Sequence, residues 1–161
     1  MITLDRFSSN IGLHNLTFSE LTHLNITKEV ANTLNIKTNG ANEHIIFPFF
    51  SGSNSISGCY EMNSAFSNKG QYRRLAHSAH HYIYPFCVPT FKTEKLDQSV
   101  LYIVDSPLDV AQYASQNKLS VAICYKNKVS EQLTSLIDRL KSKNPSLTVV
   151  VKTVNLDRNK I

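Results

Sequence analysis

Two stretches of this chain carry different hydrophobic periods. Residues 17–20 read Thr-Phe-Ser-Glu, a capping box: the Thr17 hydroxyl accepts from the backbone amide three residues on, and Glu20 reaches back. A short helix through Leu24 is expected to follow. Thr27 is placed to cap a second helix with Val30, Ala31, Leu34 and Ile36 on one face. Joined at Asn25 and Ile26, the two make a small helical hairpin. Residues 1–16 have weak periodicity and read as a loose lead-in. The run Ile45, Ile46, Phe47, Pro48, Phe49, Phe50 is continuously apolar and is expected to be a strand. Pro48 cannot donate to a ladder, so it marks an edge or a bulge. After a turn containing Gly52, residues 56–62 return with Ile56, Gly58, Tyr60 and Met62 on one face, an antiparallel hairpin partner. Residues 69–75 read as a third antiparallel strand.

The remainder alternates strand and helix. Residues 100–104, Val-Leu-Tyr-Ile-Val, form a buried-strand run. Ser106 as N-cap and Pro107 at the first helical position open a helix, with Leu108, Ala111 and Ala114 toward a sheet. Residues 119–124 are a second strand. Ser130 caps a helix with Leu133, Leu136, Ile137 and Leu140 at helical spacing, and residues 147–151 follow Pro145 as a third strand. Short connections in this order imply a parallel sheet with right-handed crossovers. The expected fold class is α/β. A Rossmann-like βαβαβ parallel sheet over residues 96–161 is preceded, over residues 1–95, by the helical hairpin and the antiparallel β-hairpin.

Composition narrows the function classes. The chain has 161 residues, 42% hydrophobic and 18% charged, enough to bury a core without disulfide staples. The net charge of +5, from 17 Lys+Arg against 12 Asp+Glu, permits contact with nucleic acid without requiring it. Cys59, Cys87 and Cys124 are odd in number and widely spaced. They are expected to be reduced and mostly buried, as in a cytoplasmic protein. No Cys-x-x-Cys or His-x-x-Cys pair occurs, so no zinc site is expected. No apolar run is long enough to span a membrane, and residues 1–10 lack the pattern of a signal peptide. A Walker-type phosphate loop and a Gly-x-Ser-x-Gly elbow are both absent, so neither ATP use nor serine hydrolysis is expected, and no cofactor is implied.

In a parallel sheet, ligands bind outside the carboxyl ends of the strands. The first strand there ends Val104-Asp105-Ser106-Pro107-Leu108-Asp109, the second ends Cys124-Tyr125, and the third ends Val151-Lys152-Thr153-Val154. An acid at a strand end, a small residue, and an Asp opening a helix resemble the Toprim signature. In this layout Asp105 holds the Glu position, Ser106 the Gly position and Asp109 the Asp position, with Val110 where a small Ala is usual. The order of elements from about residue 17 to about residue 153 is similar to that of the core of phage and plasmid DNA primases and primase–helicases. The resemblance implies a Toprim-like domain. It also exposes departures. The metal-holding Glu is shortened to Asp105, Lys152 and Val154 stand at the Asp-x-Asp positions, and Tyr125 replaces a glycine. Carboxylate oxygens hold Mg²⁺ and a lysine repels it, so Asp105, Asp109 and Lys152 are expected to be vestigial positions without catalysis or bound metal. An acid in the first helical turn is equally accounted for by the helix dipole, which leaves both readings of Asp109 open.

The densest cationic stretch holds Lys69, Arg73, Arg74, His77, His80 and His81, interleaved with Tyr72, Tyr82 and Tyr84. Cations pair with phosphates and aromatic rings stack on unpaired bases, so these residues are the candidate nucleic-acid contacts, with a solvated hairpin as the bland alternative. The expected function is that of a non-catalytic, Toprim-like accessory protein of a mobile genetic element such as a phage or plasmid. It would bind single-stranded DNA or a primer-template, or a replication protein (primase, helicase or polymerase), and have no membrane partner. Two other readings stay open. One is an interaction or homo-oligomerisation module acting through an open sheet edge, to which Phe47, Phe49 and Phe50 would add an apolar surface if they are partly exposed. The other is an active Mg²⁺-dependent primase or nuclease fragment using Asp105, Asp109 and Asp157.

Overall fold

In the computed structural model, residues 2–3, 13–39, 44–50, 55–63, 70–74, 83–84, 96–123 and 131–153 are described. The chain forms two compact units, one of residues 1–80 with 86–91 and one of residues 81–85 with 92–161.

The first unit is built on a six-stranded antiparallel sheet. Its strands are β1 (Ile2–Thr3), β2 (Leu13–Asn15), β3 (Lys37–Asn39), β4 (His44–Phe50), β5 (Ser55–Met62) and β6 (Gly70–Arg74). The order is β1-β5-β4-β3-β2, and β6 also pairs with β5, beyond the stretch taken by β1. Between β2 and β3 lie helices α1 (Phe18–Leu24) and α2 (Lys28–Thr33). The capping box of α1 is formed: Glu20 N–H donates to Thr17 Oγ1 at 3.2 Å, and Thr17 N–H donates to Glu20 Oε1 at 2.9 Å. Thr27 caps α2 in the same manner, accepting from Val30 N–H at 3.2 Å. Each helix ends on an asparagine near the left-handed region, Asn25 at φ 60° and Asn35 at φ 56°.

Several expectations change here. Residues 13–15 are a strand rather than a loose lead-in, and α2 stops at Thr33, so Ile36 lies beyond it. The cause is the left-handed Asn35, across which Ile36 N–H bonds back to Ala31 O at 2.9 Å and closes the helix end. Ile36 is still buried, at the entry to β3. Pro48 is accommodated as a partial edge. β3 pairs with β4 through His44, Ile45 and Ile46, so among the described residues β5 alone lies alongside Pro48, and the register slips between Phe49 and Phe50. The apolar run itself is not a surface. Ile45, Ile46, Phe47, Pro48 and Phe49 are all buried, so both faces of β4 are covered. The exposure that an apolar interaction surface requires is therefore not met at Phe47 and Phe49, while the Phe50 side chain lies outside the described residues. Phe47 packs its ring against Tyr60 of β5 at 5.9 Å between centroids.

The second unit carries the sheet β10-β8-β9-β7, made of β7 (Ile83–Tyr84), β8 (Asp97–Val104), β9 (Lys118–Ile123) and β10 (Thr148–Val151). β8 pairs in parallel with β9 and with β10, and the short β7 joins the β9 edge antiparallel. Helix α3 (Pro107–Ser115) connects β8 to β9, and α4 (Glu131–Lys143) connects β9 to β10. The expected alternation of three parallel strands with two helices is thus present, with β7 added.

Strand side chains alternate in direction, which divides the core in two. Leu133, Ile137 and Leu140 of α4 cluster with Leu101, Ile103, Leu119, Val121 and Ile123 on one face. On the other face Tyr102 of β8 meets Tyr113 of α3, with centroids 4.9 Å apart. Helix α3 buries Pro107, Val110, Ala111 and Ala114, spaced as one helical stripe, while Leu108 is half-buried. The inward apolar position is therefore Val110 rather than Leu108. No helix among the described residues is long and apolar enough to cross a membrane.

Candidate functional site

Strand order places the candidate site. The chain leaves β8 toward β9 on one side and returns to β10 on the other, so the connections diverge at the carboxyl ends of β8 and β10. Divergence of this kind opens a crevice in α/β sheets. Asp105 and Ser106 follow β8 there, and Lys152 and Thr153 follow β10.

Four side chains define the geometry. The Thr153 hydroxyl donates to the Asp105 carboxylate and so joins the two strand ends. Thr153 is buried and Asp105 is exposed. Lys152 continues the ladder through its backbone, its N–H reaching Ile103 O at 2.8 Å, and its side chain is exposed. Ser106 caps α3 as expected: its Oγ accepts from Asp109 N–H at 3.3 Å, and its hydroxyl donates to Asp109 Oδ2 at 3.1 Å. Partial burial lifts the Asp109 carboxyl above the usual carboxylate range. The two Ser106 hydrogen bonds pull it back, and the negative charge of Asp105 pushes it further up.

The arrangement is a stitched pair of strand ends with one buried-leaning acid, one acid tied to a hydroxyl, and one exposed ammonium. Among the described residues no three His, Cys, Asp or Glu side chains converge on one point. Asp105, Asp109 and Lys152 are brought to the same end of the sheet, as the strand-end reasoning anticipates. Thr153 was missed. Its only signal in the sequence is its place two residues after β10, and its partner lies 48 residues away.

Of the candidate nucleic-acid contacts, Arg73 and Arg74 lie on β6, opposite Cys59 and Gly58 in the ladder. Their side chains, and all of Lys69, His77, His80 and His81, lie outside the described residues, as do Tyr125, Val154 and Asp157. Cys59 is buried, while Cys87 and Cys124 lie outside the described residues. One further polar contact was not anticipated: His44 Nδ1 meets Glu61 Oε1 across β4 and β5.

No protein-family model, curated protein or solved structure matches this chain.

Proposed function

We propose that this protein is a non-catalytic accessory factor with a Toprim-like layout, which binds single-stranded nucleic acid or a primer-template in the replication of a mobile genetic element. The observation that carries the non-catalytic half is the engagement of Asp105 by Thr153, with Lys152 as the neighbouring exposed side chain. In the resembled enzymes acids at these strand ends hold Mg²⁺. Here a hydroxyl takes one oxygen of the Asp105 carboxylate and a cation stands beside the strand end, a set that disfavours a divalent ion. The binding half is supported by the net charge of +5 and by the Lys69–Arg73–Arg74 cluster on and before β6.

The test is binding of labelled single-stranded and double-stranded DNA over a salt series, with Arg73→Ala/Arg74→Ala as the comparison. Single-stranded binding should weaken with salt at a log–log slope of about −0.7 per phosphate neutralised, and the double variant should flatten that slope. Absence of binding at low salt overturns the reading.

A second reading is favoured by β10. Among the described residues it forms a ladder only with β8, and Val149 and Val150 are half-buried. A strand of this kind accepts another strand, from a replication protein or a second copy. Sedimentation that shows a monomer removes the second copy as the partner.

A further inference from the structure

The face of the second sheet that carries α3 is not evenly covered. Helix α3 lies over β9, and on the β10 side of the same face Val100, Tyr102 and Val150 remain half-buried, with Val150 beside Tyr102 in the ladder. Tyr113 of α3 is also half-buried and meets Tyr102 with its ring tilted by 32°. Lys118, exposed at the start of β9, sets its ammonium 5.8 Å from the Tyr102 centroid and 5.9 Å from that of Tyr113. Two partly open aromatic rings and one cation thus share a small area.

That combination matches one class of ligand. An unpaired base presents a π-face to an aromatic ring, and its phosphate seeks a cation within a few ångströms. Duplex bases are already stacked and cannot reach such rings. Burial raises the Tyr113 phenol above its ordinary value, with Tyr102 and Asp109 adding to the shift, so the ring is neutral at physiological pH. Asp109 lies one turn before Tyr113 on α3, and its charge repels phosphate at that end. The backbone is therefore confined to the Lys118 end.

We propose that Tyr102, Tyr113 and Lys118 form a stacking site for a base of single-stranded nucleic acid, with Lys118 holding the adjacent phosphate. The proposal rests on the nucleic-acid reading above and adds a contact in the second unit, separate from Arg73 and Arg74.

The experiment uses the full chain and a short fluorescein-labelled oligo-dT. Tyr113→Leu should weaken binding roughly tenfold, whereas Tyr113→Phe, which keeps the ring, should bind within about twofold of wild type. Lys118→Gln should reduce the magnitude of the salt slope by about 0.7. Photocrosslinking of wild type to a 5-bromouracil-substituted oligomer should label Tyr102 or Tyr113, which decides the matter even if the Leu variant does not fold. Wild-type affinity in Tyr113→Leu, or labels confined to the first unit, overturns this site. If Arg73→Ala/Arg74→Ala still weakens binding in that case, the broader function stands. No binding by wild type removes both.

Discussion

The two sheets bury their central strands by different means. In the first unit β4 is buried on both faces across five consecutive residues, and its pairing is antiparallel. Apart from those of the helices and their caps, its described polar side-chain contacts run between strands, as with His44 and Glu61, and Lys37 with Asn15 at 2.5 Å. In the second unit β8 is covered by α4 on one face and only in part by α3 on the other. Polar contacts lie at both ends of this sheet: Ser99 with Asp97 and Asn144 with Gln98 at the amino end, and Thr153 with Asp105 and Ser106 with Asp109 at the carboxyl end. The connections of the parallel sheet diverge at the carboxyl ends of β8 and β10 and open a crevice there, whereas the antiparallel sheet has no such switch point among the described residues. That difference locates the candidate site in the second unit.

The largest expected effect comes from each core in turn. Phe47→Ala should destabilise the first unit by about 3–5 kcal/mol, and Leu101→Ala the second by about 2–5 kcal/mol, because each removes a fully buried side chain. Urea unfolding followed by hydrogen exchange assigns each loss to its unit. A loss of protection spread equally over both units would mean that the two cores unfold as one.

A smaller effect is expected at the margin of the first sheet. A Cβ on Gly70 would stand 2.5 Å from Tyr60 Cζ and 3.0 Å from the Glu61 carbonyl oxygen. Tyr60 is buried and packed on Phe47, so its ring has little room to swing. Gly70→Ala should therefore cost about 1–3 kcal/mol despite the stiffer unfolded chain. The penalty should shrink in a Tyr60→Leu background, and a fully additive double variant would contradict the contact.

These contrasts also explain what was legible in the sequence. Helix starts were readable because Thr17 with Glu20, Thr27, and Ser106 with Pro107 are local chemistry completed within three or four residues. The three parallel strands of the second unit were readable as apolar runs between such caps, whereas the two-residue β7 was not. Strands β2 and β3 were not, because Leu13–Asn15 and Lys37–Asn39 are short and largely polar, and only pairing defines them. The continuous apolar run of residues 45–50 is itself the pattern of a strand covered on both faces, and the burial of Phe47 and Phe49 follows it. At the site, Asp105, Asp109 and Lys152 followed from the strand-end rule. Thr153 and the ring pair Tyr102–Tyr113 depend on contacts between distant segments.

The smallest expected effect is a pH dependence at that site. Burial raises the Asp109 carboxyl in the folded protein, which therefore holds the proton more tightly than the unfolded chain does. Its contribution to stability is fully present below the unfolded value of about 3.9 and is lost as pH rises through the raised folded value. Relative to Asp109→Asn, the urea midpoint of the wild type should fall as the pH is raised over that window. A midpoint difference that instead moves in the wild type's favour would contradict the burial.

The central claim is nucleic-acid binding without metal chemistry. The most direct measurement is affinity for single-stranded DNA in EDTA and in Mg²⁺ at matched ionic strength, with the DNA recovered and sized afterward. Equal affinity in both and intact DNA are predicted. Absence of binding, or binding or strand breakage that requires Mg²⁺ and disappears in Asp105→Asn, would contradict it.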